Sequence, residues 1–242
     1  MSCNLTIDQG NSSAKTAVWH DDELVATSVY PCLSKHEIEA IVRQYGVTAA
    51  IYSSVAMIGD EVVNTLRDML DGNVIVLSHL TPMPVTIDYS TPATLGRDRI
   101  ASAVGAYVSY PRENVLVVDL GTAATYDVVT SDAHFIGGNI APGVNMRLEA
   151  LHNFTARLPI VDPQGKCPLW GIDTETAMRA GALNGIAGEI AYYRSRLPIG
   201  TKVVLTGGSA IMIKPLLDFE VDIEPHLVTK GLNCILRYNE TK

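Results

Sequence analysis

Basic runs are missing from this chain. Its 242 residues carry 18 Lys and Arg against 26 Asp and Glu, a formal net charge of −8. A nucleic-acid binder needs clustered cations to meet backbone phosphates, so that class is excluded as a first expectation. Long apolar runs are missing too. Stretches such as Val115–Val118 are strand-sized, far below the roughly 20 residues of a membrane span. The N-terminal Met1-Ser2-Cys3-Asn4-Leu5 has no charged segment leading into a long apolar one, so no signal peptide is expected. Paired cysteine spacing is absent: Cys3, Cys32, Cys167 and Cys234 are scattered, which argues against a disulfide framework or a zinc knuckle. Reduced thiols and a cytoplasmic protein are the expectation. What is plentiful is apolar material, 47% of residues, enough for the core of one large domain or two small ones.

The chain contains an internal repeat. Leu5-Thr6-Ile7-Asp8-Gln9-Gly10-Asn11-Ser12-Ser13-Ala14 aligns with Leu116-Val117-Val118-Asp119-Leu120-Gly121-Thr122-Ala123-Ala124-Thr125 at a shift of 111 residues. Each copy is an apolar strand ending in Asp, then a Gly-containing turn, then a second extended run, which reads as a β-hairpin. Each hairpin is followed by a third strand (Glu23–Val29, Ala133–Gly138) and then by alternating helices and strands. The helices expected in the second half are Val144–Phe154, Thr174–Arg196, Ile211–Leu217 and Val228–Tyr238. The pattern predicts an α/β protein of two tandem halves, residues 1–111 and 112–242, each with a mixed sheet flanked by helices. In such a plan the two turns would face each other across a cleft. The loop Pro159–Ile172, rich in proline and glycine, reads as a lid or a surface excursion.

The turns suit phosphate. Converging backbone N–H groups hold it, glycine lets the chain bend closely, and Asn11, Ser12, Ser13 and Thr122 add short donors. Asp8 at a strand end suits Mg²⁺ held through water, and Lys15 lies across the turn, where it could neutralise phosphate charge. Ordinary hairpin chemistry also produces D-x-G turns, but two in register weigh against that. Competing nucleotide motifs fail: Gly165-Lys166 is followed by Cys167, with Ile160 at the first glycine position of a Walker loop, and no G-x-G-x-x-G follows a strand. Gly181, Gly185 and Gly188 fall in a helical pattern and read as helix-packing positions.

A second constellation, Leu95-Gly96-Arg97-Asp98-Arg99, opens the helix Ile100–Tyr107. Flanking arginines and the helix N-terminus favour a carboxylate at Asp98, placed to accept a hydroxyl proton, and Arg99 can fork onto a carboxylate. The alternative is a simple helix cap. Gly137-Gly138-Asn139-Ile140-Ala141-Pro142-Gly143 reads as a flexible strand-to-helix turn. Thr206-Gly207-Gly208-Ser209 reads as a strand-to-helix link placed to contact a nucleoside or phosphate.

Taken together, Asp8-x-Gly10-Asn11-Ser12-x-x-Lys15, Leu95-Gly96-x-Asp98-Arg99, Asp119-x-Gly121-Thr122, Gly137-Gly138-x-Ile140-x-Pro142-Gly143 and Thr206-Gly207-Gly208 resemble the type III pantothenate kinases, in order and over essentially the whole chain. The resemblance implies the ribonuclease-H-like fold of the actin-like ATPases and sugar kinases, and phosphorylation of pantothenate by ATP, the first committed step towards coenzyme A. It implies that Asp8, Gln9, Gly10, Asn11, Ser12, Ser13, Ala14, Lys15 and Thr122 contact ATP. Asp98 would be the general base, with Tyr89, Gly96, Arg97, Asp98, Arg99 and Thr174 around pantothenate. It also implies Mg²⁺ near Asp8, a monovalent cation (K⁺ or NH₄⁺) at Asp119, and a homodimer across whose interface Thr174 contacts substrate. The family usually has Asn where this chain has Asp173, and often Asn where it has Thr91. Two rival readings remain open here: a regulator like the Bvg accessory factors, and a kinase for another small hydroxy acid.

Overall fold

The computed structural model describes residues 3–54 and 60–240, which group into two compact units. The first unit comprises Met1–Pro111, Ala133–Phe135 and His226–Lys242; the second comprises Arg112–Asp132 and Ile136–Pro225.

The first unit opens with β1 (Cys3–Gln9), β2 (Ala14–His20), β3 (Glu23–Tyr30), α1 (Lys35–Tyr45), β4 (Ala49–Ser54), α2 (Asp60–Met69) and β5 (Val74–Val76). Its sheet runs β3-β2-β1-β4-β5, with β1, β2 and β3 antiparallel and β1, β4 and β5 parallel. As the central strand, β1 is buried from Cys3 to Asp8, which is why its sequence does not alternate cleanly. Leu5 and Ile7 are fully buried, each stabilising by about 1.5–3 kcal/mol. The start of α1 is set by a capping box in which Ser34 and Glu37 each accept the other's backbone N–H. Gly46 ends it with a left-handed φ of 64°. Beyond the sheet come β6 (Thr86–Ile87) and α3 (Arg97–Ser109).

The second unit repeats the plan. Its elements are β7 (Val115–Leu120), β8 (Ala123–Val129), β9 (His134–Pro142), α4 (Val144–Asn153), α5 (Thr174–Arg194), β10 (Lys202–Thr206), α6 (Ala210–Ile213) and β11 (Asp222–Ile223). The order β9-β8-β7-β10-β11 matches the first sheet strand for strand, with the hairpin antiparallel and the last pairings parallel. The first residues of β9, His134 and Phe135, belong to the first unit, where they pair with Thr86 and Ile87 of β6.

Four sequence expectations need amendment. The helix expected at Ile211–Leu217 is a four-residue α6 followed by a 3-10 turn at Lys214–Leu216, because Pro215 has no N–H to continue the ladder. Gly137 and Gly138 lie within β9, not in a turn; the link to α4 is Gly143 alone. The repeat does not keep one shift. Gln9 pairs with Ala14 but Leu120 pairs with Ala124, so the second turn is one residue shorter. Finally, the expected division put the last helix in the second half, whereas α7 (Leu227–Glu240) groups with the first unit. It packs on α3 at backbone distance: a Cβ on Gly231 would sit 1.9 Å from the Ala101 carbonyl oxygen, and one on Gly105 would sit 2.2 Å from that of Leu227. Only glycine permits that crossing. Among the described residues no helix is long and apolar enough to cross a membrane.

Candidate active site

In the first unit β1 delivers Asp8 to its C-terminal end. The strand register places Lys15 of β2 beside it on one side and Ser53 of β4 on the other. Residues in register share a sheet face, so a cation, a carboxylate and a hydroxyl form one row. Asp8 is 8% exposed and Lys15 is open to solvent. Ser53 is fully buried, and its Oγ has no hydrogen-bond partner among the described residues. A buried hydroxyl left unmet costs about 1–3 kcal/mol. Next to a strand-end carboxylate, such a donor suits a hydrated cation or a phosphate. The turn itself is closed by the Gly10 N–H donating to the Ser13 carbonyl (2.9 Å), while Gln9 Nε2 donates to the Gly10 carbonyl (3.1 Å). Asn11 and Ser12 stand exposed at its tip, and Ala14 is buried behind it.

The second constellation lies at the start of α3. The N-cap is Gly96, and Asp98 sits in the first turn with its Oδ1 accepting the Arg99 N–H at 2.9 Å. The carboxylate folds back over Gly96, where a Cβ would lie 2.5 Å from Oδ1. Glycine is therefore needed there for room, and Asp98 partly caps its own helix while staying half-exposed. Arg99 is 5% exposed, its guanidinium carbon 5.7 Å from both the Tyr89 and Phe135 ring centres. The two ring centres are 6.2 Å apart, so both rings lie to one side of the guanidinium and give it a shared aromatic wall. Arg97 donates instead to the Leu95 and Ala93 carbonyls (2.7 and 3.3 Å), holding the preceding loop. Beside this, His134 Nδ1 and Asp88 Oδ2 lie 2.7 Å apart.

In the second unit Asp119 is half-buried at the end of β7, between Thr125 of β8 and Thr206 of β10 in register. The residue that answers Lys15 is thus Thr125, and this row has no cation. Two glycine-bearing segments close on the turn. A Cβ on Gly207, whose φ is +85°, would come within 2.5 Å of Asp119 Oδ1 and 2.6 Å of the Leu120 carbonyl carbon. One on Gly143 would lie 2.4 and 2.5 Å from the Gly121 and Thr122 carbonyl oxygens. The Gly143 N–H donates to the Thr122 carbonyl (3.1 Å), and the Ser209 N–H to that of Leu120 (3.1 Å). Backbone groups therefore crowd Asp119 and Thr122 in a way that no side chain could share. Among the described residues no three His, Cys, Asp or Glu come together as a metal cluster. Hydrated Mg²⁺ and alkali ions need no such cluster, since they keep much of their water.

Thr174 stands exposed at the first position of α5, lining an open pocket of about 600 Å³ with Arg157 and Pro159. Its neighbour Asp173 is the N-cap, with Oδ1 accepting the Thr176 N–H (2.8 Å). That hydrogen bond holds the carboxyl below its ordinary value of 3.8. The Pro159–Ile172 loop is anchored: buried Arg179 donates to the carbonyls of Asp162 (2.8 Å) and Lys166 (3.2 Å), and Asn184 donates to that of Pro168 (3.1 Å). Its apolar tip is exposed, with Leu169, Trp170 and Ile172 at 75–92%. Gly181 and Gly188 of α5 have open space where a Cβ would go, so packing within the chain does not explain them.

Sequence reasoning overlooked Ser53, although a Ser-Ser pair closing a parallel strand was a visible signal. It also overlooked Phe135, Arg147 and Glu189, whose partners lie far along the chain and left no local pattern.

A family model described as type III pantothenate kinase matches residues 4–196. A type III pantothenate kinase of Porphyromonas gingivalis is 39% identical over 245 aligned residues, covering 99% of this chain and 100% of the relative. Among solved structures, a conserved putative Baf family transcriptional activator from Campylobacter jejuni superposes with a TM-score of 0.64 at 22% identity, covering 98% of this chain and all of that one. A ROK hexokinase from Thermus thermophilus gives 0.54 at 14% identity, covering 99% and 100%. At those identities the structures speak for the fold alone, the two-unit α/β plan of the actin-like ATPases and sugar kinases.

Proposed function

The chain belongs to the type III pantothenate kinase family, and we propose that it transfers the γ-phosphoryl group of ATP to the 4′-hydroxyl of pantothenate, the first committed step towards coenzyme A. The observation that carries this reading is the first turn of α3. There a half-exposed carboxylate, Asp98, directly precedes a buried guanidinium that rests against two neighbouring aromatic rings. A hydroxy acid needs both, one to take the hydroxyl proton and one to hold the carboxylate.

In the proposed reaction Asp98 accepts the hydroxyl proton as the oxygen forms its bond to the γ-phosphorus. The bond to the β,γ-bridging oxygen breaks, and ADP leaves with that electron pair. Positioning and charge compensation do most of the work in such a transfer, and a general base adds about 10²–10⁴-fold. Arg99 holds the pantothenate carboxylate, Tyr89 lines the pocket, and Gly96 and Arg97 shape its floor. The turn from Asp8 through Gln9, Gly10, Asn11, Ser12, Ser13 and Ala14 to Lys15 takes the phosphates, and Thr122 contacts the nucleotide. Asp8, beside a Ser53 hydroxyl unmet among the described residues, would hold Mg²⁺ through water, and Asp119 would hold K⁺ or NH₄⁺. Bound there, these ions offset phosphate charge. A homodimer would cover the exposed Leu169, Trp170 and Ile172 and the open face at Gly181 and Gly188, and would bring Thr174 to a partner's substrate. A cytoplasmic setting follows from the reaction.

ADP release measured with and without pantothenate, in K⁺ and in Na⁺ buffer, tests the reading. Stimulation by pantothenate that depends on K⁺ is expected. Its absence in K⁺ would defeat the proposal, and stimulation by another hydroxy acid alone would redirect it. A regulator without catalysis is not favoured, since it has no use for a base beside a carboxylate fork.

A further inference from the structure

Three side chains from three elements of the second unit form a connected polar chain. The Tyr126 hydroxyl of β8 donates to Glu189 Oε2 of α5 at 2.5 Å. Both Glu189 oxygens lie 2.7 Å from Arg147 Nη2 of α4. Arg147 Nε then donates to the Pro142 carbonyl at 2.8 Å. The next residue, Gly143, gives its N–H to the Thr122 carbonyl. Tyr126 is 2% exposed, and burial together with the Glu189 contact pushes its hydroxyl pKa up, so it remains a donor. The Arg147 side chain is 17% exposed, and α5 leaves room for it: a Cβ on Gly185 would sit 3.1 Å from Nη1.

We infer that Glu189 and Arg147 are positioning residues for the nucleotide-contacting turn at Thr122, acting through the Pro142 carbonyl and the Gly143 N–H. Two edges of one guanidinium do this work. Nη2 is held by Glu189, which orients the group so that Nε meets Pro142. A lysine offers one point charge and cannot make both contacts in that geometry. Pro142 and Gly143 in turn leave no slack: the first has a fixed φ, and the second has backbone oxygens where a Cβ would go. An ion pair that merely tied α4 to α5 would not need the Nε bond to Pro142.

The inference rests on the proposed role of Thr122 at ATP, so nucleotide binding is measured separately from turnover. In Glu189→Gln and Arg147→Lys, the Kd for ATP by calorimetry and the KM for ATP are expected to rise about tenfold, the lower end of what losing an outer-shell partner costs. The KM for pantothenate should stay within about twofold of the wild type. Tyr126→Phe keeps both Arg147 contacts and is expected to shift ATP affinity by less than about threefold. A lowered melting temperature with unchanged ATP affinity, or equal rises in both KM values, would overturn the inference. ATP affinity that falls in these variants of a protein showing no pantothenate-stimulated ADP release would overturn the proposed reaction and leave the positioning role standing.

Discussion

The Asp8 and Asp119 turns come from one plan and have diverged in opposite directions. Both end the central strand of a sheet with the same strand order, and both place a residue from the hairpin and one from the next parallel strand beside the aspartate. The first row carries Lys15 and a Ser53 hydroxyl unmet among the described residues; the second carries two threonines. Each turn holds its own glycine alike, a Cβ on Gly10 meeting the Ser13 oxygen and one on Gly121 meeting Asp119 Oδ1, both at 3.3 Å. The second is gripped by glycines from elsewhere in its unit, Gly143 and Gly207, at 2.4–2.5 Å. One turn recruits charge and the other recruits backbone. The repeat supplies the frame, and the proposed division of labour rests on these local differences.

The largest expected effect lies outside both turns and shows what they cannot do by themselves. Asp98→Asn should lower kcat by about 10²–10⁴-fold, with modest change in the KM for ATP. Steady-state kinetics at saturating K⁺ check this, and near-wild-type turnover would remove Asp98 as the base. Next comes a test of the two carboxylates against each other. Asp119→Asn should raise the K⁺ concentration for half-activation about tenfold or more while leaving the Mg²⁺ requirement near normal, and Asp8→Asn should do the reverse. The scale follows from the ~1.5–3 kcal/mol of a contact to a charged group. If both variants shift the same ion, the division of labour is wrong.

A third test addresses the glycines. Gly143→Ala and Gly207→Ala force a methyl onto backbone atoms, and at Gly207 onto a left-handed φ as well, so each should destabilise by roughly 1–3 kcal/mol. Gly10→Ala should cost less than either, because its one close neighbour needs to yield only a few tenths of an ångström. Urea unfolding midpoints compare the three, and equal losses would mean that the two turns are built alike after all.

Much of this was readable before any coordinates. The hairpins and the alternation of helices and strands that follows them come from apolar spacing, because local backbone chemistry decides them. The Asp8 and Asp98 constellations were readable for the same reason: each sits at a strand or helix end that the sequence itself marks. Three things were not readable. The one-residue slip after the second turn depends on pairing register, which a constant-shift alignment hides. The assignment of α7 to the first unit depends on Gly105 and Gly231 meeting a distant helix, and glycines in a helical pattern do not announce their partner. The Tyr126–Glu189–Arg147 chain joins residues from three elements, and no spacing rule connects them.

The smallest expected effect concerns how α5 begins. Asp173 fills the N-cap and receives the Thr176 N–H. That hydrogen bond lowers its folded pKa below 3.8, so its contribution to stability is present in full above the unfolded value. As the pH falls through the lowered folded value, the carboxylate is protonated and the contribution is lost. Asp173→Asn keeps a side-chain oxygen for the cap but cannot titrate. The variant should therefore match the wild type closely near pH 7, and its melting temperature should decline less between about pH 4 and pH 2. In the first unit Glu37, whose carboxyl is likewise lowered by hydrogen bonds from Ser34, offers the control: Glu37→Gln should flatten the same acid limb by a similar small amount. If Asp173→Asn instead changes the KM for pantothenate at neutral pH, position 173 contacts substrate as well as capping α5. The acid limb would then no longer isolate the cap.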